Sequence, residues 1–270
     1  MRRFHLFELE DQPWFPAVIR DAGTAYLELA ARLARIGEVM APTLSRALQR
    51  ANQDQIVDLC SGGSGPLPSA LDAIANQGGS NVTATLTDLY PNQNAFERIT
   101  RENPAIRAKF EPVDATAVPD NLKGLRTLFS GLHHFRPAQA KAILANAVED
   151  RASIAIFESV ARHPLALLSM LFVPFMTLLL VPFLRPFRWS WIPLTYLVPV
   201  IPFFIFWDGF VSCLRCYNQD ELRAMTANLK SDDYQWEIGG FDLPGAPFQG
   251  LYAIGSPTPS DSIDHDIPSG

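Results

Sequence analysis

The sequence predicts an α/β fold, a mostly parallel sheet with helices on both faces and an inserted apolar hairpin. Three observations predict it. Ile56-Val57-Asp58-Leu59-Cys60-Ser61-Gly62-Gly63-Ser64-Gly65-Pro66 is a short apolar run, then an acid, then a glycine-rich turn. That is the pattern of a buried strand feeding a tight loop and a helix. Four β-rich runs follow in order, three of them ending at acids or a polar loop. After the last of these come two stretches without a charged residue, 164–184 and 189–207.

At the N-terminus Met1-Arg2-Arg3 is basic, but Glu8, Glu10 and Asp11 precede any long apolar run, so no signal peptide is read there. Residues 16–50 read as two helices, with Val18, Ile19, Ala22, Tyr26, Leu29, Leu33 and Ile36 at helical spacing. Gly37 and Pro42 mark the break between them, and residues 1–50 make a helical cap. Ahead of these helices lies Asp11-Gln12-Pro13-Trp14-Phe15-Pro16. Trp14 either lines a substrate pocket or joins Phe15 in stapling the first helix to the core.

In the loop after the first strand, Gly62, Gly63 and Gly65 lack a Cβ, which permits positive φ and close approach of a ligand to the backbone. Pro66 suits the first turn of the following helix, where a missing N–H costs nothing. The rival dinucleotide fingerprint G-x-G-x-x-G fails, because Pro68 stands where its third glycine packs helix on strand. The second run, Asn81 to Asp88, ends in an acid that can accept from both hydroxyls of a ribose, with Tyr90 placed to stack on a base. Phe110 to Ala115 reads as a third strand ending in Asp114-Ala115. Leu125 to Ser130 reads as a fourth, followed by the loop Gly131-Leu132-His133-His134-Phe135, and Ser153 to Phe157 as a fifth. Taken singly, each acid fits an N-cap or turn at least as well.

Together, the glycine loop, Asp88, Asp114 and the 131–135 loop resemble the class I S-adenosylmethionine (SAM)-dependent methyltransferases. The resemblance spans roughly residues 50–160 and the C-terminal end. Cys60 and Ser64 stand where many members have glycine. The resemblance implies a Rossmann-like, seven-stranded, mostly parallel sheet with an antiparallel terminal hairpin. It implies SAM as cofactor, held by Asp58, Ser61, Gly62, Gly63, Gly65, Asp88, Leu89, Asp114, Ala115 and Ser130. In that family an acid at the position of Asp114 receives the adenine amino group, and the loop after the fourth strand sits beside the sulfonium. The SAM-binding core is then 51–163, continued by 208–255 after the 164–207 insertion.

A net charge of −6 without a basic block excludes nucleic acid as a partner. Cys60, Cys213 and Cys216 make no disulfide framework, and Cys213-x-x-Cys216 reads as two small apolar residues on one helical turn. His133 and His134, being adjacent, are read as pointing different ways, so no metal is expected.

The insertion has nearly the length to cross a bilayer twice. Its turn, Arg185-Pro186-Phe187-Arg188, would then lie outside the cytosol, against the positive-inside tendency. Pro174, Pro182, Pro193, Pro199 and Pro202 each cost a helix a backbone hydrogen bond. The favoured reading is a hairpin of broken helices on the cytoplasmic membrane face, with Trp189, Trp191 and Trp207 at headgroup depth and Arg185 and Arg188 near lipid phosphates. A buried lid, a dimer interface and a true two-span hairpin are the alternatives.

Beyond the insertion, Asp208, Arg215 and Tyr217 are either solvated or face the pocket. Asn218 to Lys230 reads as a helix, Tyr234 to Ile238 and Phe248 to Ile254 as strands, and 256–270 as a disordered tail. The expected activity is methyl transfer from SAM to a small or medium lipophilic acceptor at a membrane surface. His133 or His134 is the first choice of base and Asp208 the second, with Trp14, Arg215 and Tyr217 binding substrate. The alternatives are a non-catalytic membrane-binding module on this scaffold, which the intact Asp58, Asp88 and Asp114 disfavour, and a SAM-fold enzyme that does not methylate.

Overall fold

The computed structural model describes residues 1–78, 81–229 and 233–258. Its sheet runs in the order β3-β2-β1-β4-β5-β7-β6. The strands are β1 Gln55–Asp58, β2 Thr83–Leu86, β3 Ile106–Ala108, β4 Leu125–Phe129, β5 Ile154–Glu158, β6 Tyr234–Asp242 and β7 Gln249–Pro257. The first five are parallel; β7 pairs antiparallel with both β5 and β6. The order reverses between β1 and β4, so the loops after these two strands meet at one edge, where α/β sheets hold their ligands.

Alternation along the strands builds two apolar layers. Ile56, Ala155 and Phe157 face α2 (Ile36–Ala51) and α3 (Leu67–Asn76), while Val57, Ile154 and Ile156 face α5 (Pro137–Glu149) and α9 (Gln219–Ala227). A third apolar cluster lies off the sheet. There α1 (Ala17–Leu33) packs Ile19, Ala22 and Tyr26 against Val181, Trp191, Phe204 and Ile205 of the insertion. Gly23 permits this closeness: a methyl there would lie 2.6 Å from a Phe204 ring carbon.

Several sequence expectations are corrected. The third strand is Ile106–Ala108, not 110–115; Pro112 has no N–H to give a ladder, and Asp114 sits in the loop beyond. The break between the first two helices falls at Ala34–Arg35, where Arg35 takes φ +55°, and both Gly37 and Pro42 lie inside α2. Residues 256 and 257 belong to β7 rather than to a tail. Residues 259–270 and Lys230 lie outside the described residues.

The insertion is a chain of short helices: α6 (Pro164–Ser169), a 3-10 turn, α7 (Val173–Leu180), a second 3-10 turn, a π-turn at Pro193–Leu197, and α8 (Val200–Arg215). Pro164, Pro174, Pro182 and Pro193 each occupy a first turn, where the missing donor is harmless, so the prolines set the joints. Pro164–Phe183 has a mean hydropathy of 2.3, is mostly unburied, and by length and composition alone could cross a membrane. Its outward side chains include Phe172, Phe175, Leu179 and Phe183. Trp189 is 80% exposed, but Trp191 is fully buried and its indole N–H donates to the Val18 carbonyl at 2.8 Å, which removes it from the expected headgroup belt. The insertion is also no detachable graft, since its Val181, Leu184, Trp191, Ile201, Phe204 and Ile205 form the core under α1.

Candidate active site

The loop after β1 is held in left-handed backbone conformations. Gly62 and Gly65 take φ of +52° and +48°, and so do the non-glycines Cys60 (+55°) and Ser64 (+69°). Such values strain an L-residue and persist where the surroundings enforce them. A methyl on Gly62 would meet nothing within 4 Å, so its backbone faces open space. Gly63 is roofed by α1, whose Thr24 and Glu28 would touch any side chain there.

Of the residues assigned to the cofactor, Asp88 accepts from the Gly62 and Tyr90 amides at 2.9 Å, one on each oxygen. Each oxygen keeps a lone pair for a hydroxyl. Asp114 is exposed and uses one oxygen for Thr116, leaving the other free. Leu89 is exposed and Ala115 buried. Asp58 lies beneath the loop, 1% exposed, accepting from the Thr127 hydroxyl at 2.7 Å, and burial pushes its carboxyl up to about 7. Ser61 ties the loop to the Asp58 carbonyl, and Ser130, at φ +49°, bonds Ser159.

The 3-10 turn Leu132–His134 follows β4, and a methyl at Gly131 would lie 3.6 Å from the Cys60 Cβ, so this turn starts against the glycine loop. Glu158 at the tip of β5 grips His133 twice, accepting from its backbone N–H at 3.1 Å and facing its Nδ1 at 2.8 Å. A carboxylate at Nδ1 selects the tautomer that leaves Nε2 unprotonated, the state a general base needs. Both residues are buried.

Residues 3–12 cross this turn as an arm. Arg3 donates to the carbonyls of His133, Phe135 and Arg215. Asp208 of α8 receives the Leu9 and Glu10 amides at 2.8 and 2.9 Å. Arg215 binds Glu8 at 2.7 Å and Asp11 at 2.8 Å. Tyr217 donates to the Phe135 carbonyl and lies under the Arg3 guanidinium. The structure thus gives Asp208, Arg215 and Tyr217 to anchoring the arm. Trp14 points outward at 68% exposure, while Phe15 does the stapling, against Phe204.

His134 closes the latch. Burial opposes its charge, yet hydrogen bonds to Asp11 and Glu8 hold its pKa well above the ordinary value. Its stabilisation is therefore complete below about pH 6.5 and is lost as pH rises through the folded-state value. Exchange of the Leu9 and Glu10 amides, corrected for intrinsic rates, should accelerate as pH rises past that point in the wild type. In His134→Asn it should not; pH-independent protection in the wild type would overturn the latch.

The expectation that the two histidines diverge is also corrected. In the 3-10 turn their rings lie 4.3 Å apart. Glu8, His133 and His134 each offer one metal-ligating atom within 4.8 Å of the others. All three are already engaged, Glu8 by Arg215, His133 by Glu158 and His134 by Asp11. Composition gave no sign of Glu8 or Asp11, which reach the site across more than 120 residues of chain. Glu158 carried a signal, an acid directly ending an apolar run.

No family model matches the chain, and no curated protein matches it. Among solved structures, "Structure of the plantazolicin methyltransferase BpumL in complex with SAH" has 14% identity and a TM-score of 0.58, covering 93% of this chain and 94% of that one. The mitomycin 7-O-methyltransferase MmcR (13%, TM-score 0.49) and the pyocyanin biosynthetic protein PhzM (12%, TM-score 0.48) align over 83% and 84% of this chain. The chain spans about half the length of those two, covering 54% and 56% of them. At such identity the first likeness shows the fold, one in which helices flank a seven-stranded sheet ending in an antiparallel pair.

Proposed function

We propose that this chain, which has the class I SAM-dependent methyltransferase fold, transfers a methyl group from SAM to a lipophilic acceptor at the cytoplasmic face of a membrane. The observation that carries the reading is the buried His133–Glu158 pair, in the turn after β4 that starts against the glycine loop, near the point where the sheet order reverses.

The residues fit the cofactor. Open backbone at Gly62 suits its amino acid, the spare lone pairs of Asp88 its ribose and the free oxygen of Asp114 its base, and these support the reading. Bound SAM supplies an electrophilic methyl on a sulfonium. The protein must then align an acceptor nucleophile with it, exclude water, and take a proton from a phenol, enol or amine. His133 is the base, oriented by Glu158. Access to His133 requires the arm to lift, which makes the latch part of the catalytic cycle.

Calorimetric titration with SAM and S-adenosylhomocysteine tests the cofactor. Asp88→Ala should weaken binding by about 2 kcal/mol, roughly 30-fold, through two lost acceptors. Silence of the wild type toward both ligands overturns the methyltransferase reading.

The membrane part rests on the exposed apolar side chains of α7 and its neighbours, Phe172, Phe175, Leu179 and Phe183 among them. About 300 Å² of inserted apolar surface amounts to about 7 kcal/mol. Replacing these four by serine should release the protein from vesicles while SAM binding persists. A wild type that ignores vesicles and needs no detergent would favour the lid reading.

A further inference from the structure

A cavity of about 220 Å³ opens between α1, α4 (Gln93–Glu102) and the turn that joins the two apolar stretches. It is smaller than the roughly 300–1,000 Å³ pockets that enclose whole drug-sized ligands. Four guanidinium groups line it: Arg98, Arg101, Arg185 and Arg188. Two are neutralised, Arg98 by Glu28 at 2.6 Å and Arg188 by Asp21 at 2.9 Å. Arg101 and Arg185 form no ion pair among the described residues, and a guanidinium fork of this kind can take two oxygens of a phosphate. Glu97 is the one remaining acid on its wall.

The surroundings say where such a phosphate comes from. Arg185 and Arg188 lie in sequence between Phe183, 66% exposed, and Trp189, 80% exposed. A molecule whose anionic head enters the cavity would have apolar surface beside the mouth for its chains. We propose that this cavity binds the phosphate of a phospholipid headgroup, clamped by Arg101 and Arg185, with the hydrocarbon chains lying along the exposed apolar layer. The inference rests on the membrane reading above and gives it a headgroup chemistry.

The test uses the full chain and three sets of vesicles. One is phosphatidylcholine alone; the second adds phosphatidate; the third adds a fatty acid to the same surface charge. The wild type should prefer the phosphatidate vesicles to the fatty-acid ones. Arg101→Gln/Arg185→Gln should bind phosphatidate vesicles roughly thirty-fold more weakly. Arg101→Lys/Arg185→Lys, which keeps the charge and removes the forks, should lose the preference for phosphatidate over fatty acid. If the lysine pair keeps the wild-type preference, or the wild type has none, the headgroup cavity is overturned while vesicle binding itself, and the membrane reading, stand. Glycerol 3-phosphate that binds the wild type without vesicles, but not the glutamine pair, would overturn the lipid source in favour of a soluble phosphate ester. Absence of wild-type binding to all three vesicle sets overturns the membrane reading, and this proposal with it.

Discussion

Replacing His133 by asparagine should lower turnover by about 10²–10⁴-fold while SAM affinity stays near that of the wild type. The side chain is buried, and its ring nitrogen sits 2.8 Å from Glu158. Glu158→Gln should follow in the same direction, since an amide in place of the carboxylate no longer stabilises the charged imidazole. The distinguishing readout is the pH–rate profile. If His133 is the base, the pH dependence of the rate in His133→Asn should differ from that of the wild type. A wild-type rate in His133→Asn, with a known acceptor, would make the pair structural and leave His134 or Asp208 as the base.

The largest effect on stability is expected at Arg215. Its guanidinium is buried and joins Glu8, itself fully buried, to Asp11 and to the Leu6 carbonyl. Truncation to alanine strands a buried carboxylate and should cost about 3–5 kcal/mol in denaturant unfolding. Combining Arg215→Met with Glu8→Gln and Asp11→Asn should recover much of this, because the uncompensated charge is then gone. Equal losses in the single and the triple variant would mean that packing of the long side chain, not the ion pair, is what matters.

The parts of the site that the sequence displayed are those whose chemistry is local. Positive φ after β1 calls for glycine, and Gly62 and Gly65 announce it; the tips of β2 and β4 follow from apolar runs that stop at a polar residue. The expected third strand at 110–115 misses Ile106–Ala108 because that strand is three residues long and carries less β signal than the loop that follows. Glu158 ends β5 as Asp58 ends β1, so the rule that selected Asp58 and Asp88 reaches it when applied to every strand. Glu8, Glu10 and Asp11 were visible merely as charges that break a signal-peptide pattern. Their meeting with His134 and Arg215 is set by tertiary packing, which no spacing along the chain encodes. Trp191 looked interfacial by composition, and the competing need to cover α1 took it inside.

Helix α8 belongs to two structures at once. Its first half, with the outward Phe203 and the inward Ile201 and Phe204, is part of the apolar layer; its second half carries Asp208, Ser212 and Arg215, which hold the arm over His133. The 16-residue helix is a rod of about 24 Å joining the two. If lipid seating shifts that rod, arm opening and lipid affinity are thermodynamically linked, and the coupling is reciprocal. If vesicles raise arm opening by some factor, measured by exchange at Leu9 and Glu10, an arm-loosening change such as Asp208→Asn should raise vesicle affinity by up to that factor. A substrate-free surface measurement then reads out the gate over the base.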